Sequence, residues 1–271
     1  MSCLDPDYLK NLAIQYREAY AQAQPFPHIV IDKFLPEDLL DVILTEFPKV
    51  DAIDWQKFDR PAEKKLASKN ELQMGAATRS LLYQFNSSTF MDFLETLTGI
   101  DGLIPDPHFE GGGLHQIQRG GFLKMHVDFN RHARLRLDRR LNLLVYLNKD
   151  WQEKYGGHLE LWDQDMTKCE QKILPIFNRC VVFGTTDFSY HGHPEPLNCP
   201  ADRTRKSLAL YYYSNGRPDS EVKGDDFHST IFQARPTDTF EQDDSWGITA
   251  KDILKKLVPP ILIDVKNALK K

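Results

Sequence analysis

The stretch FLKMHVDFN, residues 122–130, sets His126 and Asp128 one residue apart among large apolar side chains. Alternate residues of a strand face the same way, so these two would project into one space, with Met125 and Val127 facing the other. A buried imidazole beside a buried carboxylate costs free energy unless something compensates. Taken alone, the stretch fits a satisfied histidine–carboxylate pair in a core as well as it fits a metal site. A second cluster, His191 and His193 in SYHGHPEP, follows the strand-like run CVVFGT. Two histidines and one carboxylate on one side of a metal, with the remaining positions open, form the donor set of non-haem Fe(II) oxygenases. Periodicity does not separate His191 from His193, which share a face in an extended segment. In RKSLALYYY, Arg205, Ser207, Ala209 and Tyr211 share a face by the same alternation. An inward arginine stays charged and needs an anion, and no acidic residue alternates onto that face nearby. A ligand carboxylate held by the Arg205 fork, with a hydrogen bond from Ser207, answers that need. Arg203 competes for this role, but only Arg205 stands two before a serine and opens the apolar alternation.

These side chains must be carried by strands. From residue 108 onward the runs LHQIQ, GFLKMHVDF, RLNLLVYLN, HLELWD, KILPIF, CVVFGT and SLALYYY alternate with turn residues, among them Gly120–Gly121, Gly156–Gly157 and Gly184. Many short strands in succession favour a jelly roll. Gly156–Gly157 reads as a hairpin turn. The first hundred residues read mainly as helix: a helical spacing over 7–23, a short strand HIVID, a helix opened by Pro36, and a helix over TFMDFLETLT capped by Ser87 or Ser88 and ended by Gly99. Past Gly216 the chain is polar, with a candidate helix from near Thr249 that Pro259–Pro260 must break. The expected organisation is one α+β domain with a mainly β core: helical support over 1–107, a core over 108–214 and a C-terminal extension over 215–271. The 271 residues carry a net charge of −5 and are 41% hydrophobic, which gives no footprint for nucleic-acid binding. Four scattered cysteines with no CxxC pair suggest neither a zinc knuckle nor a disulfide framework. There is no basic-then-apolar leader and no span long enough for a bilayer, so the expected location is cytoplasmic.

The order HVD, YLNKDW, GGHLELW, FG…SYHGHP and RKSLALYYY resembles the 2-oxoglutarate/Fe(II) dioxygenases of the prolyl 4-hydroxylase type, over residues 108–214. YLNKDW, residues 146–151, is similar to the hypoxia-sensing prolyl hydroxylases. The resemblance implies a double-stranded β-helix (jelly roll) with iron at its mouth. It matches His126 and Asp128 to the family's HxD, and His191 to the distal histidine, leaving His193 to line the site or pack on it. Arg205 matches the arginine that holds the far carboxylate of 2-oxoglutarate, and Tyr146 an aromatic that contacts it. The implied cofactors are Fe(II), 2-oxoglutarate and dioxygen, with ascorbate as a stimulant. The implied reaction is hydroxylation of an unactivated C–H bond with release of succinate and CO2. Two features depart from the family. Where it usually carries a tyrosine before the first ligand, this chain has Gln116, Ile117 and Gln118, and either Gln116 or Gln118 is expected to replace it. An inserted loop, EPLNCPADRT, separates His193 from Arg205.

RHARLRLDRR, residues 131–140, holds five arginines directly after the HxD pair. It reads either as a solvated edge or as a basic border to the substrate. In strand alternation Arg134 and Arg136 share a face and would recruit an anionic substrate. The substrate classes consistent with these readings are a prolyl residue in a peptide, a free amino acid, or a small metabolite or saccharide. The competing function class is a non-catalytic cupin- or lectin-like jelly roll that binds a metal or a sugar.

Overall fold

Local chemistry sets the helix ends in the computed structural model, which describes residues 4–223 and 227–238. Helix α1 (Pro6–Gln22) starts where the Asp5 carboxylate accepts a hydrogen bond from the Tyr8 amide at 2.8 Å and Pro6 takes the first turn. Helix α2 (Glu37–Glu46) follows Pro36. Helix α3 (Ala76–Phe85), absent from the sequence reading, borrows its cap. Its N-terminal Gly75 has no capping side chain, and the Glu46 carboxylate at the end of α2 accepts from the Ala77 and Thr78 amides at 3.2 and 2.6 Å. Helix α4 (Ser88–Thr98) is capped by Ser87 and ends at Gly99, whose φ of 71° suits glycine.

The strands are β1 (His28–Asp32), β2 (Gln56–Arg60), β3 (Glu63–Ala67), β4 (Ile104–Pro105), β5 (Gly113–Gln118), β6 (Phe122–Val127), β7 (Asp138–Tyr146), β8 (Leu159–Trp162), β9 (Cys169–Ile173), β10 (Arg179–Gly184), β11 (His191–His193), β12 (Thr204–Ser214) and β13 (Ile231–Phe232). They form one antiparallel sheet in the order β1-β10-β7-β12-β5-β3-β6-β11-β8-β9, with β2 on β3, β4 on β12 and β13 on β6. The sheet curls into a jelly roll, with β3 as the seam that pairs with both β5 and β6. The hairpin β2–β3 is a correction to the mainly helical reading of the first hundred residues. Its sequence, QKFDRPAEKKLA, is too charged to show a buried periodicity. The candidate helix near Thr249 lies outside the described residues.

Alternation divides the sheet into two faces. Leu141, Leu143 and Val145 of β7, with Leu208, Leu210 and Tyr212 of β12, pack in one core with Leu9, Leu40, Leu82, Phe90 and Leu94 of the helices. The helices therefore cover the outer face and fix the sheet. The intervening residues of the same strands, Asn142 and Tyr146 on β7 and Arg205 and Ser207 on β12, face the inside of the curl. Among the described residues no helix is long and apolar enough to cross a membrane.

Candidate metal centre

Strand β11 lies against β6 so that His191 is paired with His126. Gly192 permits this approach: a Cβ there would stand 2.8 Å from the Leu123 carbonyl oxygen and 2.9 Å from that of Lys124. One atom each from His126, Asp128 and His191 gathers within 4.8 Å, the one such group of three or more ligand-type side chains among the described residues. His126 Nε2 is 3.5 Å from Asp128 Oδ1, and His191 Nε2 is 3.3 Å from Asp128 Oδ2. Each ring also donates from Nδ1 to the carbonyl two residues before it, Lys124 and Ser189, both at 2.9 Å. Those bonds fix the tautomer and leave both Nε2 lone pairs aimed at one point, the usual setting of a metal-binding histidine. His193 is not part of the group. Burial, and then the neighbouring His191, push the His126 pKa down, so that its ring is neutral at neutral pH.

The carboxylate is held as an anion. Burial alone would raise the Asp128 pKa, but its charged and hydrogen-bonding neighbours, the Arg139 guanidinium first among them, bring it well below the usual range. Arg139 lies 3.0 Å from Asp128 Oδ2, and Asn142 Nδ2 donates to the same oxygen at 2.7 Å. Arg139 in turn donates to Asn142 Oδ1 from Nε and Nη2, at 3.0 and 2.7 Å. Its guanidinium sits over the rings of Phe129 and Tyr211, 4.4 and 3.5 Å from their centres. Arg139 and Asn142 went unmarked in the sequence, where Arg139 was one of five arginines in a run.

On the same inner face, Arg205 is buried, and among the described residues it has no carboxylate partner. Its Nε donates to the Gly157 carbonyl at 2.8 Å and Nη2 to the Tyr146 hydroxyl at 3.2 Å. Burial is the main influence on its charge and works against it. Ser207 is opposite Tyr146 in the ladder, so the three share this face. Arg203 instead donates to the backbone carbonyls of Lys149 and Asp150. Gly156–Gly157 is not a hairpin turn: β8 pairs with β9 and β11. Gly157, at φ 74°, is the floor on which Arg205 lies, since a Cβ there would come within 3.0 Å of Arg205 Cδ.

Two further sequence expectations are corrected. Arg205 is paired with Ile117, and Ser207 with His115, so Ile117 and His115 share the inner face, whereas Gln116 and Gln118 point outward. Gln116 Oε1 accepts from Thr204 and its Nε2 donates to the Pro48 carbonyl; Gln118 is exposed. Neither glutamine stands where the family's tyrosine would reach the cosubstrate. Arg134 and Arg136 are not on a strand. They are exposed residues of a turn, with Arg136 at φ 62°, because His132 folds inward and its Nδ1 accepts from the amides of Arg134 and Leu135. Neither lines the cavity at the metal site.

That cavity, of about 310 Å³, opens over His126 and Asp128. The hairpin β2–β3 walls it with Phe58, Arg60, Glu63 and Lys65, the sheet with His115, Phe129, Arg139 and Tyr211, and the segment before and on β13 with Ser229, Thr230 and Phe232. The Phe232 ring lies 5.5 Å from that of His126.

Comparison with known proteins agrees with this geometry. Residues 112–213 match the family model described as the 2OG-Fe(II) oxygenase superfamily. No curated relative matches the sequence. Among solved structures, a Pseudomonas putida prolyl-4-hydroxylase is 21% identical, with a TM-score of 0.53 over 75% of this chain and 100% of that one. A Trichoplax adhaerens prolyl hydroxylase in complex with a hypoxia inducible factor peptide fragment is 17% identical, with a TM-score of 0.55 over 77% and 91%. A Phytophthora capsici prolyl 4-hydroxylase is 22% identical, with a TM-score of 0.52 over 79% and 66%. The matched β core, residues 112–213, is similar to the 2OG-Fe(II) oxygenase superfamily, and the fold is prolyl 4-hydroxylase-like.

Proposed function

We propose that the chain hydroxylates an unactivated C–H bond of a small molecule or of a single side chain, such as a prolyl residue, a free amino acid or a small anionic metabolite. One observation carries the reading. Three ligand-type side chains converge, two of them lining a cavity, and the same inner face of the sheet carries a buried arginine that among the described residues has no carboxylate partner. His126, Asp128 and His191 would hold the Fe(II), and a donor set of two imidazoles and one carboxylate suits that ion. Arg205, oriented by Gly157 and Tyr146, would hold the far carboxylate of 2-oxoglutarate, with Ser207 beside it. When bound, iron, 2-oxoglutarate and dioxygen supply an oxidation that releases succinate and CO2 and inserts one oxygen atom into the substrate C–H bond. The protein's part is to bind, to orient and to keep water out. Phe58, Phe129, Tyr211 and Phe232 offer apolar walls for a substrate, and Arg60 and Lys65 offer positive charge at its edge. A cavity of about 310 Å³ accommodates something the size of one amino acid. The peptide bound by the Trichoplax adhaerens enzyme keeps a peptidyl substrate in the screen.

Adding 2-oxoglutarate to the Fe(II)-loaded protein without oxygen is expected to give a metal-to-ligand charge-transfer band. Amino acids, prolyl peptides and anionic metabolites are then screened for stimulated succinate release. His126→Ala, Asp128→Ala and His191→Ala should each abolish the band and turnover while the fold persists. Wild-type protein that gives no band would refute the reading.

A further inference from the structure

His193 is 3% exposed, and among the described residues neither of its ring nitrogens has a hydrogen-bond partner. A buried polar group in that condition is destabilising unless something hydrogen-bonds it, so it calls for an occupant. On β11 it stands two residues from His191, across an irregularity in the register, and it is paired with Leu123, which lines the metal cavity. Gly192 draws both histidines close to β6. The group of ligand-type side chains does not include His193. The charged and ionisable groups that act on it are Arg205, Lys65 and His126, which puts it between the metal end and the arginine end of the deeper site. On the opposite wall, the β5 residue paired with Arg205 is Ile117, which offers no hydrogen bond.

We propose that His193 is a cosubstrate-binding residue that donates a hydrogen bond to the far carboxylate of 2-oxoglutarate, from the half of the sheet facing Arg205. The proposal rests on the cosubstrate reading above. A neutral imidazole suffices, since one nitrogen always carries a proton. The bond would take the place of the tyrosine that Ile117 does not provide, and it would hold the dicarboxylate from both walls.

The test measures binding rather than turnover. 2-Oxoglutarate is titrated anaerobically into the Fe(II)-loaded full chain, following the charge-transfer band, for wild type, His193→Leu and His193→Gln. Mn(II) affinity is measured without cosubstrate. 2-Oxopentanoate, which lacks the far carboxylate, is titrated in parallel. His193→Leu is expected to weaken 2-oxoglutarate about ten-fold or more, His193→Gln to recover part of the loss, and Mn(II) and 2-oxopentanoate affinities to stay as in wild type. Unchanged 2-oxoglutarate affinity in His193→Leu overturns the proposal, as does an equal loss of 2-oxopentanoate. A loss of Mn(II) affinity in both variants overturns it too, because the imidazole would then serve the metal. Wild-type protein that binds no 2-oxoglutarate overturns this proposal and the cosubstrate reading together, whereas normal wild-type binding with an unaffected His193→Leu overturns this one alone.

Discussion

Asp128 is only as good a ligand as its counter-charge allows, and that counter-charge is Arg139. The guanidinium is fixed by Asn142 and by the rings of Phe129 and Tyr211, so it meets Asp128 without waiting for a metal. Arg139→Gln should lower Mn(II) affinity about 10- to 100-fold, the usual effect of removing a partner behind a ligand, as calorimetry would show. It should also move the acid limb of metal binding to higher pH. With Arg139 in place the Asp128 pKa is depressed, so the anion persists until pH falls well below the ordinary carboxylate range; without it, protonation competes sooner. An acid limb that does not move would show that the histidines alone hold Asp128 ionised. Gly157 tests the cosubstrate end. A side chain there would crowd Arg205 Cδ at 3.0 Å and Leu197 Cδ2 at 2.5 Å, at a φ that favours glycine. Gly157→Ala should therefore raise the KM for 2-oxoglutarate more than it lowers kcat, whereas an equal loss of both would point to general damage. The pairing of His126 with Asp128 was legible in the sequence because a spacing of two fixes a shared face, whereas His191 was separated from His193 only by the family resemblance. Arg139 was not, because five arginines in ten residues look alike until the ladder assigns each a face.

At the scale of elements, the crossing of β11 over β6 assembles the metal site, and it depends on Gly192. Gly192→Ala would drive a methyl into two backbone carbonyls that cannot rotate away. It should separate His191 from His126, destabilise the fold by about 1–3 kcal/mol and abolish Mn(II) binding. Chemical unfolding and calorimetry would check both, and intact metal binding would show that β6 yields instead. Most core strands were readable from alternation, since β7 and β12 send one set of apolar residues to the helices and the other set inward. Other elements escaped. The three-residue β11 is too short to show a period. Helix α3 takes its cap from Glu46, a residue distant in sequence. Hairpin β2–β3 is mostly charged, because its apolar contribution is little more than Phe58, Leu66 and Ala67. The same sampling problem misled the reading of residues 134–136, where alternating arginine and leucine imitated a strand and the inward fold of His132 made a turn.

At the scale of the whole molecule, the polar stretch past Gly216 completes the site. Residues 227–238 pass across the cavity as a strap, in which β13 pairs with β6, Phe232 meets His126, and Arg235 bonds to Asp238 and Glu195. Nothing in its composition announces this, because its bonds run to partners far away in sequence. Near its start, His228 Nε2 lies 2.8 Å from Asp187 Oδ1, and the His228 amide donates to Asn130 Oδ1 at 3.0 Å. Burial pushes the His228 pKa down and Arg217 opposes its charge, but Asp187 and the hydrogen bond to the Ser229 carbonyl more than offset both and the net shift is upward. Asp187 is correspondingly lowered, its burial outweighed by His228, the Lys223 amide and Arg217. A histidine pKa raised by folding contributes stability that is fully present below its unfolded value of about 6.5, and that is lost as pH rises through the folded value. The strap should therefore be held more tightly at about pH 6 than at about pH 8. Hydrogen exchange, corrected for intrinsic rates, should show greater protection of the residue 228–233 amides at the lower pH, and His228→Gln should erase that difference while leaving the helices unaffected. Equal protection at both pH values in the wild type, or a pH difference that survives His228→Gln, would show that the Arg235 contacts and the β13 pairing hold the strap without help from His228.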